Sequence, residues 1–161
     1  MVTMSEGRIF SNCAILTACL PASLAKSRKS GLVAIIPDAI VISTTHVDEK
    51  DIKKITALCD EIEELINNHE DHTQKDIEFH TAIAMSSKNV VVPRLIPVIN
   101  SSIPLFVETT GGTLHEETIE THRKIADAIA SHDTLRAQDA MYLHLVYNRK
   151  RIQMIKKGDL I

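Results

Sequence analysis

The chain has 161 residues, 44% of them hydrophobic and only 3% aromatic, with a formal net charge of −3. That length and apolar content suit one globular domain with its own core, and exclude a disordered chain or one dependent on disulfide staples. Trp is absent, so the core must be Leu, Ile, Val, Ala and Met, which favours packed helices over a β-sandwich; the mildly acidic balance offers no broad basic field to DNA or an anionic membrane.

Cys13, Cys19 and Cys59 share no C-x-x-C spacing, which points to a reducing, cytoplasmic setting. No apolar run approaches ~18 residues, so no membrane span is expected. Met1–Phe10 lacks the basic region and apolar core of a signal peptide.

In chain order, Ile9, Cys13, Leu16, Leu20 and Leu24 mark one face of a first helix from about Ser5 to Lys26, with Pro21 kinking or ending it. The stretch Ser27–Thr45, with Gly31, Pro37 and the β-branched run near Ala39–Ile42, fits an ordered loop, an extended segment or a broken helix. A second helix follows from about Glu49 to Asn68, striped by Ile52, Ile55, Leu58, Cys59, Ile62, Leu65 and Ile66 and capped by Asp48. Thr73-x-x-Asp76 resembles a capping box opening a third helix, which ends near Lys88–Asn89.

Val90–Val107 reads as a fourth helix, with Pro93 in its first turn, a kink at Pro97 and an end at Pro104. Gly111–Gly112 breaks the chain, and Thr113-x-x-Glu116 is a proper capping box for a fifth helix carrying Ile119, His122, Ala126 and Ile129 on one face. A tight turn at Ser131–Asp133 leads to a sixth helix, from about Thr134 to Lys156, capped by Asp133. The expectation is an all-α, antiparallel bundle of about six helices, forming a single domain over 1–161.

Two pairs of residues stand out. Asp76 and His80, four apart on one helix, share a face with side chains about 6 Å apart. Both are good ligands for a divalent ion. His122 lies ten residues before His132, and His144 lies eleven after Asp133. At ~1.5 Å rise per residue each is roughly 15 Å from the hairpin turn, so the two imidazoles sit level. His122 is also in the apolar stripe of its helix and must face the core. The plainer alternative for either pair is a chance spacing or a hydrogen-bonded core histidine. His46, His69, His72, His115 and His132 fall in expected loops or at helix ends, where solvated surface is their default reading.

The segment DIEFHTAIAMSSKN (Asp76–Asn89) resembles the D-x-x-F-H…A-S-x-N signature of the FCD domain, the effector domain of the FadR branch of GntR-type bacterial transcription regulators. The segment THRKIADAIASHDTLRAQDAMYLHL (Thr121–Leu145) is similar to the second signature of that family, H-x-x-I-x-x-A-I-x-x-x-D followed by M-x-x-H-L. The clearest match is 47–157.

The resemblance implies a helical bundle with a central cavity, and it joins the two pairs into one ligand set: Asp76, His80, His122 and His144. It implies one divalent metal (Zn, Ni, Fe or Mn), a small organic acid as effector, and a homodimer. Effector binding would shift the conformational population of the domain and so change DNA binding by an attached winged-helix domain.

The chain departs from the family pattern in two ways. No winged helix-turn-helix precedes the domain, so the chain is expected to be either a fragment or a regulator-like protein that does not bind DNA specifically by itself. The N-terminal part matches poorly: the arginine that reaches into the cavity falls on Arg8 or Arg28. Asn89 is either a cavity polar group that meets the effector or a helix C-cap.

The competing reading is a metal-dependent hydrolase on a helical bundle. It needs a general base beside the metal. Glu78, the nearest acid in sequence, points away on its helix, so no enzyme is expected. Paired Glu-x-x-His motifs for a di-iron site are absent. The basic run Asn148–Lys157 suits a solvated helix C-terminus better than a nucleic-acid contact. A purely structural dimerisation module would need neither metal nor ligand.

Overall fold

The computed structural model describes residues 44–157 apart from Val91 and Gly112. All regular structure among them is helical. The elements are α1 (Glu49–Asn67), α2 (Thr73–Ser86), a 3₁₀ turn (Val92–Leu95), α3 (Ile96–Thr110), α4 (His115–Ala130) and α5 (Thr134–Lys157). The expected helix Ser5–Lys26, most of the stretch after it, and both Arg8 and Arg28 lie outside the described residues.

α1 begins as its sequence dictates. The Asp48 carboxylate accepts from the N–H groups of Lys50 and Asp51, and the Asp51 side chain accepts in return from the Asp48 N–H. Its stripe of Ile55, Leu58, Ile62 and Ile66 joins one apolar core with Phe79 and Ile83 of α2, Ile125 and Ile129 of α4, and Ala137 and Met141 of α5. Phe79, Ile125 and Ile129 are fully buried. Truncating either isoleucine to Ala is expected to cost about 2–5 kcal/mol. α4 and α5 form the hairpin expected from the turn: Asp133 accepts from the Arg136 N–H, and His132 takes a left-handed φ of 54°.

Four local expectations are corrected. First, α2 has no Thr73 cap. Thr73 is already helical, and the Asp71 carboxylate accepts from its N–H and hydroxyl. Asp76 is thereby left for the interior. Second, the residue at the end of α2 with a left-handed φ is Lys88, not Asn89. Ser86 and Ser87 turn their hydroxyls back to the carbonyls of Ile83 and Ala84, which ends the helix early. Lys88 holds the turn by reaching Asp48 and Asp51 of α1.

Third, the expected Val90–Val107 helix is split. Pro93 lies in the 3₁₀ turn, Pro97 in the first turn of α3, and Pro104 inside α3 rather than at its end. Burial of Ile103 and half-burial of Phe106 and Val107 hold α3 together despite the hydrogen bond that Pro104 removes. Fourth, Thr113 does not cap α4. Its hydroxyl donates to the Thr110 carbonyl, while Gly111 turns the chain with φ 59°. Leu114 occupies the N-cap of α4, and no side chain caps it.

Candidate metal centre

Three helices deliver one cluster. Asp76 and His80 project from one face of α2, His122 from the core stripe of α4, and His144 from α5. The Asp76 Oδ1 lies 3.4 Å from His80 Nε2 and 3.3 Å from His122 Nε2. Ring centroids are 5.2 Å apart for His80–His122, 5.3 Å for His80–His144 and 4.8 Å for His122–His144. One nitrogen from each of the three imidazoles lies within 4.8 Å of the others, a separation that a single ion can bridge. The structure therefore brings together the four residues that the sequence offered as two pairs.

Burial defines the electrostatics. Asp76, His122 and His144 are 7%, 1% and 8% exposed, so their charged forms lose hydration. Burial drives the His122 imidazole well below its ordinary range, against the attraction of Asp76. Burial and the neighbouring His80 push His144 down to about 4. Burial alone would raise the Asp76 carboxyl, but His122, His80 and His144 outweigh it and hold the group below the usual carboxylate range. At neutral pH the two α4–α5 imidazoles are neutral, the form in which imidazole ligates a metal.

The donor set fits a divalent cation on one further observation. Asp76 Oδ1 and both ring nitrogens of His122 are buried without a hydrogen-bond partner. Such groups cost roughly 1–3 kcal/mol each when left unpaired, more for a charge. Asp76 Oδ1 and one of the two His122 nitrogens can ligate the same cation, which would satisfy both.

Residues around the cluster set its geometry. Thr121 Oγ1 donates to the Glu117 carbonyl at 2.6 Å and lies 2.9 Å from His144 Nδ1. With its single hydrogen spent on Glu117, the hydroxyl oxygen accepts from His144 Nδ1–H, which leaves Nε2 with its lone pair. Phe79 stacks on His122 at 4.5 Å with a 26° interplanar angle. Asn148, one turn beyond His144, places Nδ2 3.3 Å from His144 Nε2 and 3.2 Å from the His144 carbonyl.

The cluster opens into a cavity of about 40 Å³ among α2, α3, α4 and α5. Ile103, Phe106 and Val107 of α3 form an apolar wall, while His72, His115, Thr118 and Asn148 add polar groups. Asn89 lies beyond α2 and is not among the lining residues. Glu78 pairs with Gln74 and Lys75 at the surface.

Sequence reasoning missed Thr121, Asn148, His72 and His115. The signal for His72 was present: His72, Asp76 and His80 repeat every four residues. Asn148 likewise follows His144 by four. Against expectation, His72 is buried, with 6% exposure. His46, His69 and His132 are exposed as expected.

The FCD domain family matches residues 33–147. A relative from Bacillus subtilis (strain 168), an uncharacterized HTH-type transcriptional regulator named YcbG, is 31% identical over 120 residues, covering 70% of this chain and 48% of the relative. The solved structure of a Streptococcus agalactiae GntR superposes with a TM-score of 0.62 at 27% identity, covering 73% of this chain and 54% of that one. The chain thus spans about half the length of these proteins. It belongs to the FCD domain family of GntR-type transcription regulators, and the hydrolase alternative falls with that assignment.

Proposed function

We propose that this domain senses a small carboxylate through a divalent metal held by Asp76, His80, His122 and His144. The observation that carries this reading is the buried Asp76 carboxylate, set among three imidazoles with its Oδ1 lacking a hydrogen bond. Bound there, a divalent ion supplies a Lewis-acidic anchor for an oxygen of the effector. The protein side chains do the rest. Asp76 contributes the negative charge, Thr121 sets the His144 tautomer, and the α3 wall excludes water from the cavity.

Because α2, α4 and α5 all contribute ligands, occupancy of the site biases how these helices pack. Regulation requires only that the effector bind one packing better than another. In this reading the domain works as a homodimer in the cytoplasm, and a separate winged-helix domain contacts DNA. Zn, Ni, Fe and Mn all suit the donor set.

Purified protein is expected to carry about one divalent ion per chain, as the four-ligand geometry requires. Elemental analysis that finds none after supplementation with each of the four metals would sink the proposal. His122→Ala and His144→Ala should each abolish metal-dependent thermal stabilisation. Small carboxylic acids at a hundredfold excess over Kd should stabilise metal-loaded protein by about 2.7 kcal/mol and leave metal-free protein unchanged.

A further inference from the structure

The cavity has a second polar end, away from the ligand cluster. His72 precedes Asp76 by one helical turn, is 6% exposed, and lines the cavity. It holds the N-cap position of α2, but its ring makes no cap hydrogen bond there. The ring of His115 meets it edge-on at 5.7 Å. His115 is also the first residue of α4, the helix whose N-cap is Leu114 and which no side chain caps. The hydroxyl that could have capped it, on Thr113, is committed to Thr110.

An uncapped helix N-terminus presents free N–H groups and the positive end of the helix dipole. Leu114, His115 and Thr118 bring that end of α4 to the cavity wall. Glu116 and Glu117 also lie in the first turn but do not line the cavity. Two independent features, a buried imidazole that makes no cap hydrogen bond and a bare helix N-terminus, therefore converge on one place.

Spacing sets the ligand that joins the two ends. His72 lies one turn from Asp76, ~5 Å along α2, and His115 lies about two turns from His122, ~10 Å along α4. The wall between them is the apolar face of α3. The two ends are therefore separated by only one to two helical turns, which sets a short spacer between the two groups of the ligand. We infer that the effector is a short dicarboxylate of about four carbons. One carboxylate meets the ligand cluster, and the other accepts hydrogen bonds from His72, His115 and the α4 N-terminus. This rests on the metal-anchored reading above.

The test is calorimetric titration of Zn-reconstituted protein with succinate and with propionate. Succinate is expected to bind tighter by about tenfold or more, the worth of one or two charge-assisted hydrogen bonds. His72→Phe and His115→Phe should each bring that ratio toward one, leaving Zn content and propionate affinity unchanged. Leu114→Asp, which places a carboxylate at the α4 N-cap, should weaken succinate alone. His115 is only half-buried, so His115→Phe tests the proposal even where His72→Phe fails to fold.

A ratio near one in the wild type, a ratio unchanged in both His115→Phe and Leu114→Asp, or no succinate binding at millimolar concentration overturns the proposal. So does a second Zn equivalent that is lost in His72→Phe, which would make this end a metal site. If the metal-anchored reading alone is wrong, each acid binds as tightly without Zn as with it, while the preference for succinate over propionate persists and still depends on His115.

Discussion

At the scale of single residues, the cluster depends on groups that are not themselves among its four candidate ligands. Thr121 is fully buried and acts through one hydroxyl on His144 Nδ1. Thr121→Val keeps the shape but removes the acceptor, so His144 loses its fixed tautomer. The expected result is a 10- to 100-fold drop in metal affinity by competition with a chelator, with the circular dichroism spectrum unchanged. Loss of helical signal instead would show that Thr121 serves the fold.

The same residues predict an acid response. His144 is depressed to about 4 from an ordinary 6.5. Its contribution to stability is therefore complete above pH ~6.5 and is lost as pH falls toward 4, where only the unfolded chain gains the proton. Asp76, also depressed, adds a further loss below its ordinary range near 3.8. Metal-free protein followed by thermal melts should lose stability steadily from pH ~6.5 to ~4. A flat profile over that window would contradict the burial of His144. The Asp76–His80 pair was legible because spacing of four puts both on one helical face. His72 carried the same spacing of four, but a residue just before a helix start reads as loop until its neighbours cover it, so its burial was not legible.

At the scale of elements, periodicity outperformed punctuation. The stripe of α1 and the level placement of His122 and His144 followed from 3.6-residue geometry. The proline and cap signals misled wherever a tertiary contact outweighed a local preference. Pro104 sits mid-helix because α3 buries Ile103 beside it. Pro104→Ala should restore the missing N–H and remove a helix-interior cost of up to about 3 kcal/mol. Added freedom of the unfolded chain offsets about 0.4–1 kcal/mol of that gain. The net expectation is a raised melting temperature; a lowered one would show that α3 needs the proline. Thr113 misled differently: its hydroxyl had two possible acceptor arrangements, and the carbonyl end of α3 took it instead of the start of α4.

At the scale of the whole molecule, one cluster ties three helices, α2, α4 and α5, that also share the apolar core. Chelation of metal-loaded protein should lower its melting temperature, and the loss should grow with the free-metal level used for loading. The family match extends over most of the described bundle, and the domain fold was legible because two signatures lie in order on α2 and on the α4–α5 hairpin. The helix expected at Ser5–Lys26 rested only on its own periodicity and lies outside the described residues.

The position after His122 carries a mechanical consequence. Arg123 donates to Asp60 at 2.7 Å and to Glu63 at 2.6 Å, both on α1. Consecutive residues leave a helix about 100° apart, so α4 holds the cluster with one side chain and grips α1 with the next. α4 thereby links the cluster to α1, so that any rotation of α4 about its axis would pull on α1 through Arg123. Isolated exposed pairs are worth little in stability, so the value of this clamp lies in torque rather than in energy. Arg123→Ala should barely move the melting temperature. If metal loading alters α1 hydrogen exchange in the wild type, that change should be lost in the variant, and its persistence would sink the coupling.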